Sequence, residues 1–206
     1  MMRNLMARTA AAALLLALAG CGADAPDPAA APPTPSAGHE MSPATPVDVR
    51  LAKQLSAAHA ATAKYATDVK AAEQDGYMII TPMMPGMGYH YLNPKVQGFD
   101  ASNPPILVYN GDGAAKQLVA LEWVFPEQPA SAPLPGATYG SFDAACHYKD
   151  GTFVPTATEK ECAPDVKGSA FTFWHPKLVT LHVWLWMPNP AGIYHGTNPL
   201  VEPFGA

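Results

Sequence analysis

Charge is scarce in this sequence. Asp, Glu, Lys and Arg make up 14% of its 206 residues, and nowhere do lysines or arginines gather into a run. That excludes the basic patch through which proteins hold nucleic acid and the cationic helix that lies on an anionic membrane. Beyond the first twenty residues no apolar stretch is long enough to cross a bilayer as a helix. The chain has no internal repeat, no Gly-x-Ser-x-Gly, no phosphate-binding Gly loop, no dinucleotide fingerprint and no His-Glu-x-x-His. The most recognisable routes to hydrolase, kinase and dehydrogenase chemistry are therefore missing.

What is present begins with an export signal. Arg3 and Arg8 precede the apolar run Ala10 to Ala19, and the run ends in Leu18-Ala19-Gly20-Cys21. The pattern reads as a signal peptide, and its end resembles the lipobox of bacterial lipoproteins. That resemblance implies cleavage before Cys21, acylation of Cys21 and attachment to a lipid bilayer on the extracytoplasmic side of the cell envelope, since several acyl chains anchor a protein firmly. Residues 21–46 are mostly Ala, Pro, Gly, Ser and Thr and form a tether that cannot bury a core. Cleavage leaves 10 basic against 17 acidic side chains, a net of about -7. The remainder, residues 47–206, has the length of one globular domain.

Asp48 to Asp75 reads as one long amphipathic helix. Asp48 is its N-cap, Gly76 its stop, and Leu51, Leu55, Ala58, Thr62, Tyr65, Val69 and Ala72 form its apolar face. His59 lies on the flank of that stripe as a surface or packing residue. After Gly76 the pattern changes to short strands: Tyr77 to Thr81, Tyr89 to Tyr91, a hairpin of Ile106 to Tyr109 with Lys116 to Phe125, and Ala170 to Trp174. Residues 126–145 read as a long surface loop. The expected fold is α+β, with the long N-terminal helix packed on a mainly antiparallel sheet or partly open barrel.

The most apolar run, Val179 to Met187, reads as a central strand that puts Thr180, His182, Trp184 and Trp186 on one face. Pro188, Pro190 and Gly192 end it. His182 is then a buried imidazole among tryptophans, in need of partners for both nitrogens. His90 follows the Gly-rich loop Pro82 to Gly88 and stands between Tyr89 and Tyr91. Glu122 is the one charge inside Leu118 to Phe125, where a carboxylate must be paired, protonated or bound to a cation.

Two imidazoles and a carboxylate suit a divalent first-row metal with open positions, copper or zinc. His90, Glu122 and His182 are thus the candidate ligands, with His175 a fourth candidate and His195 able to fold back after its turn. Tyr89, Tyr91, Trp123, Trp184 and Trp186 are the candidate pocket walls. Met84 and Met87, spaced by three with His90, add a thioether set that suits copper(I). A single-metal site requires His90 and His182 to lie within about 8 Å of one another. Cys146 and Cys162, the pair left beside Cys21, are expected to form a disulfide contributing about 3 kcal/mol. His147 is then an exposed neighbour of that bridge.

Five segments carry a wider resemblance. They are Ala60-Ala-Thr-Ala-Lys-Tyr65 with Ala72-Glu-Gln-Asp-Gly-Tyr77, Pro85-Gly-Met-Gly-Tyr-His-Tyr-Leu-Asn-Pro94, Ile106 to Tyr109, Leu118 to Val124, and Leu181-His-Val-Trp-Leu-Trp-Met-Pro-Asn-Pro-Ala-Gly192. Together they resemble a family of exported microbial proteins of uncharacterised activity, over residues 50–200. The family pattern has matches at His90, Glu122 and His182, which implies a shared site. Such proteins often end with a cysteine after Asn-Pro-x-Val, whereas Asn198-Pro-Leu-Val201 is followed here by Glu202, a departure from the family pattern that bears on any second disulfide.

Three functions fit. The first is an anchored extracytoplasmic metal-binding domain for metal handling or for binding a small ligand at the metal. The second is a small hydrolytic or oxidative metalloenzyme with Glu122 as general base. The third is a metal-free envelope protein that binds a ligand or partner through Trp123, Trp184, Trp186 and tyrosines.

Overall fold

Two helices open the computed structural model, which describes residues 46–201. The signal sequence, Cys21 and the tether up to residue 45 lie outside the described residues, as does Glu202. Helix α1 (Pro46–Thr62) runs on through a 3-10 turn at Ala63–Tyr65, and α2 (Val69–Gln74) follows after a break. Proline at the first helical position lacks only an N–H that would have had no helical partner.

The expected single helix is thus corrected to two, and tertiary hydrogen bonds are the reason. The Tyr109 hydroxyl donates to the Tyr65 carbonyl at 3.0 Å, and the Leu118 amide donates to that of Ala66 at 2.8 Å. The Asp68 side chain then caps α2 by accepting from the Ala71 amide. The apolar stripe survives the break. Ala58, Tyr65 and Ala72 are buried in one core cluster, with Leu51, Leu55 and Val69 packed against it.

The strands form two antiparallel sheets, and this corrects the expected single sheet or open barrel. Six strands make the larger sheet: β1 (Met78–Ile79), β2 (Tyr89–Leu92), β3 (Ile106–Asn110), β4 (Gln117–Phe125), β5 (Gly140–Phe142) and β10 (Leu178–Val183), in the order β1-β2-β3-β4-β10-β5. Four make the smaller: β6 (Ala145–Tyr148), β7 (Phe153–Pro155), β8 (Asp165–Val166) and β9 (Ser169–His175), in the order β7-β6-β9-β8. The β3–β4 hairpin forms as expected around Asn110 to Gly113. Its register slips beside Val108 and Tyr109, so that Val119 and Ala120 both turn to one side.

The large sheet has two unlike faces. Tyr91, Leu107, Tyr109, Leu121, Trp123, Leu181 and Val183 join the helices in one cluster. Ile106, Val108 and Ala120 form a second cluster with Ile80, Trp184 and Val201, and Phe173 of β9 packs against it. The polar residues of the candidate site lie on this second side.

Three further expectations are corrected. Residues 126–145 are more than a surface loop: Leu134 is 1% exposed, and β5 pairs with β10. The central strand stops at Val183, because the Trp184 amide leaves the ladder to bond the Ile193 carbonyl at 2.9 Å. His147 is buried, at 1% exposure, because Asp150-Gly151 closes a β6–β7 hairpin that turns its ring inward. Cys146 and Cys162 form the disulfide. Among the described residues no helix is long and apolar enough to cross a membrane.

Candidate metal centre

Three strands of one sheet deliver the three candidate ligands. Glu122 stands on β4, directly opposite His182 of β10 on one side and Ile106 of β3 on the other. His90 stands on β2, opposite Val108. Period-two alternation places all of them on the face away from the helices. They are 4% (His90), 5% (Glu122) and 4% (His182) exposed. Each offers one ligand atom, and these atoms lie within 4.8 Å of one another. The ring centroids of His90 and His182 are 6.0 Å apart, inside the separation that a single-metal site requires.

Burial governs the charges. Desolvation pushes Glu122 up to about 8, opposed by a hydrogen bond from Thr180. It pulls His90 down to about 4, and His182 down to about 3 with the help of its neighbour His90. At neutral pH the 3.5 Å contact between His90 Nε2 and Glu122 Oε2 therefore joins a carboxylic acid to a neutral imidazole rather than two ions.

His90 is oriented from behind. Its Nδ1 lies 3.0 Å from Thr81 Oγ1, and the same hydroxyl oxygen accepts from the His90 amide at 3.0 Å. His182 has no such support: both its ring nitrogens are buried without a hydrogen-bond partner, and Trp184 packs on the ring at 4.6 Å. Leaving a buried donor or acceptor unmade costs about 1–3 kcal/mol.

Two cavities meet at Glu122. The inner one, about 130 Å³, is lined by His90, Thr81, Met84, Met87 and Phe142 among others. The outer one, about 360 Å³, reaches from His182 past Tyr139 and Tyr194 to His195 and Thr197. Met87, Ser141 and Thr180 border both, as Glu122 does. The methionines arrive on a tight turn in which Met84 and Gly88 bond each other's backbones. Gly88 has φ +96°, and a Cβ there would come within 2.5 Å of the Tyr109 carbonyl oxygen. Only glycine lets the turn lie this close to β3.

The remaining candidates go elsewhere. His175 belongs to the small sheet and is no member of the ligand group; its Nδ1 bonds the Pro176 carbonyl. His195 lines the outer cavity only. Tyr89 and Tyr91 alternate with His90 and so face away from it: Tyr89 meets Lys116 and Asp112, and Tyr91 packs on Tyr109. Trp123, next to Glu122, likewise points to the helix side and donates to the Asp100 carbonyl. Trp184 touches the site through His182. Trp186 has left the strand, stacks on exposed His59 at 3.9 Å and donates to Thr62 Oγ1. The three tryptophans form no common face.

Thr81, Ser141 and Phe142 are site residues that sequence reasoning did not single out. The run Thr138-Tyr-Gly-Ser-Phe142 carried the signal for β5 in its aromatic and β-branched residues. The chain matches no family model, no curated protein and no solved structure.

Proposed function

We propose that the protein binds one transition-metal ion, copper or zinc, through His90, Glu122 and His182, for metal handling or to hold a small ligand at the metal. The observation that carries this reading is His182, a buried imidazole with neither nitrogen satisfied, set across from an acid that burial alone keeps protonated. A metal ion would answer the bare lone pair and the acid at once. It takes the lone pair of the imidazole and displaces the proton of Glu122, whose carboxylate then neutralises part of the added charge. With Nε2 on the metal, His90 keeps Nδ1–H for Thr81, the supporting contact that ligating histidines ordinarily have. Met84 and Met87 in the cavity wall favour copper over zinc.

The location we propose is the extracytoplasmic side of a bacterial membrane, with Cys21 as lipid anchor. The signal pattern supports this, and so does the Cys146–Cys162 disulfide, a bond suited to an oxidising compartment.

Elemental analysis of protein purified from metal-replete cells tests the metal reading. One equivalent of a single metal is expected, lost in both His90→Ala and His182→Ala. A metal-free wild type, with the variants merely less stable, sinks it.

A second reading is a metalloenzyme in which the histidines hold the ion and Glu122 acts as general base. Glu122 borders both cavities, so a carboxylate held there beside the ion would reach a substrate or water entering from either. Glu122→Gln separates the two. Loss of metal marks a ligand; retained metal with turnover abolished marks a base.

A further inference from the structure

A second pair of imidazoles lies behind the wall of the inner cavity. His147 of β6 is 1% exposed and His175 of β9 is 9% exposed, with ring centroids 5.0 Å apart. His147 Nδ1 lies 2.8 Å from the Ile80 carbonyl, and His175 Nδ1 lies 2.6 Å from that of Pro176. A carbonyl can only accept, so each Nδ1 carries the proton. In a neutral ring each Nε2 is then a bare lone pair. Both Nε2 atoms are buried, and neither has a partner.

Fixing Nδ1–H on a backbone carbonyl while leaving Nε2 unpaired is how proteins orient histidine for a metal. Two neighbouring rings prepared in this way, their centroids 5.0 Å apart, bring two bare lone pairs into one aromatic box. Burial lowers the proton affinity of both, that of His147 to about 4, so the lone pairs stand free at neutral pH.

The surroundings define the ion. Phe173 stacks on His147 at 4.6 Å, Phe153 lies 6.0 Å from it, and Phe142 packs on His175 at 4.9 Å. Among the described residues no third His, Cys, Asp or Glu joins the pair as a ligand. A divalent ion between two neutral donors in such walls would keep its whole charge uncompensated in a region of low dielectric. A monovalent d10 ion carries half that charge, is content with two nitrogens, and is attracted by aromatic faces.

We propose that His147 and His175 form a second metal site, a two-nitrogen site for copper(I), separate from the His90/Glu122/His182 centre. It stands on its own residues and does not depend on the first site being occupied. The two sites share walls: Phe142 packs on both rings and lines the inner cavity, and Ile80 lines that cavity while its carbonyl holds His147.

Silver(I) is the probe, a redox-inert d10 ion that needs no reductant and so leaves the disulfide intact. It is titrated into the purified, 15N-labelled chain, and the imidazole nitrogens are followed by NMR. The same titration is run on His90→Gln/His182→Gln, which lacks the first site. The expected result is that the Nε2 signals of His147 and His175 move together and split by coupling to silver, in both proteins. His147→Phe, which fills the aromatic box, loses one equivalent of silver and keeps any bound by the first site. If silver moves only His90 and His182, the second site is overturned while the first stands. If both Nε2 signals stay at the position of an uncoordinated or water-bonded imidazole at saturating silver, the proposal is likewise wrong.

Discussion

Glu122 and His182 are direct cross-strand partners, one on β4 and one on β10, on the face of the sheet turned away from the helices. Neither is ionised at neutral pH, although both belong to titratable types, because burial removes the water that would solvate either charge. Stability is thereby tied to pH, and a metal ion bound at these residues would alter the link.

The sign follows from which state binds more protons. The folded value of Glu122 is raised from 4.5 to about 8, so its contribution is fully present below 4.5 and is lost as pH rises towards 8. The buried histidines are lowered from 6.5 to about 3 and 4, so theirs is present above 6.5 and is lost as pH falls. Metal-free protein is expected to be most stable near pH 6.5. It should lose about 2 kcal/mol between pH 6.5 and 8, at about 1.4 kcal/mol per unit. Urea denaturation across that range, with and without metal, checks this. The alkaline loss should vanish in the metal-bound form and in Glu122→Gln.

Thr81→Val removes the hydroxyl that holds both Nδ1 and the amide of His90. Metal affinity should fall about 10- to 100-fold, the usual effect of losing a supporting contact. Competition against a chromophoric chelator measures it. An unchanged affinity would mean that Thr81 does not position the ring.

Gly88→Ala places a methyl group against the Tyr109 carbonyl at a φ of +96°. The turn must move, and Met84, Met87 and His90 move with it. A loss of about 1–3 kcal/mol in stability is expected from the backbone strain, together with weakened metal binding. Gly98→Ala, where a Cβ would meet nothing within 4 Å although φ is also positive, should lower stability but spare the metal.

Thr62→Val tests the opposite face. It removes the hydroxyl that accepts from Trp186 Nε1 and donates to the Ala58 carbonyl. About 1–3 kcal/mol of stability should be lost, with metal content unchanged. Thermal denaturation beside elemental analysis distinguishes this helix-docking role from one in the metal centre.

The three candidate ligands were legible because each breaks a pattern: a lone charge in an apolar strand, and two histidines inside β-forming runs. The pocket walls were misread where alternation was not carried through. His90 cannot share a face with Tyr89 and Tyr91, nor Glu122 with Trp123, and period two already said so. Trp186 is a different kind of miss. It obeys the period on paper, but the Trp184 amide abandons the ladder for Ile193, and no local residue announces that choice. The helix break had a local sign in Asp68, a capping residue next to Val69 of the apolar stripe, though its cause lies in Tyr109 and Leu118, distant in the chain. The burial of His147 has a local sign in Asp150-Gly151, a hairpin signal that turns β6 back on β7.

The methionine turn is clamped from far along the chain. The Gly86 amide donates to the Val201 carbonyl at 2.9 Å, and the Asn198 amide donates to that of Gly86 at 2.7 Å. The wall of the inner cavity, placed early in the sequence, is thus latched by residues made much later. During synthesis His90 and Glu122 emerge first, His182 follows, and the latch closes only after Val201. A chain still being made holds no finished cage, so metal capture at this centre would be an event of the folded domain, in whichever compartment its folding ends.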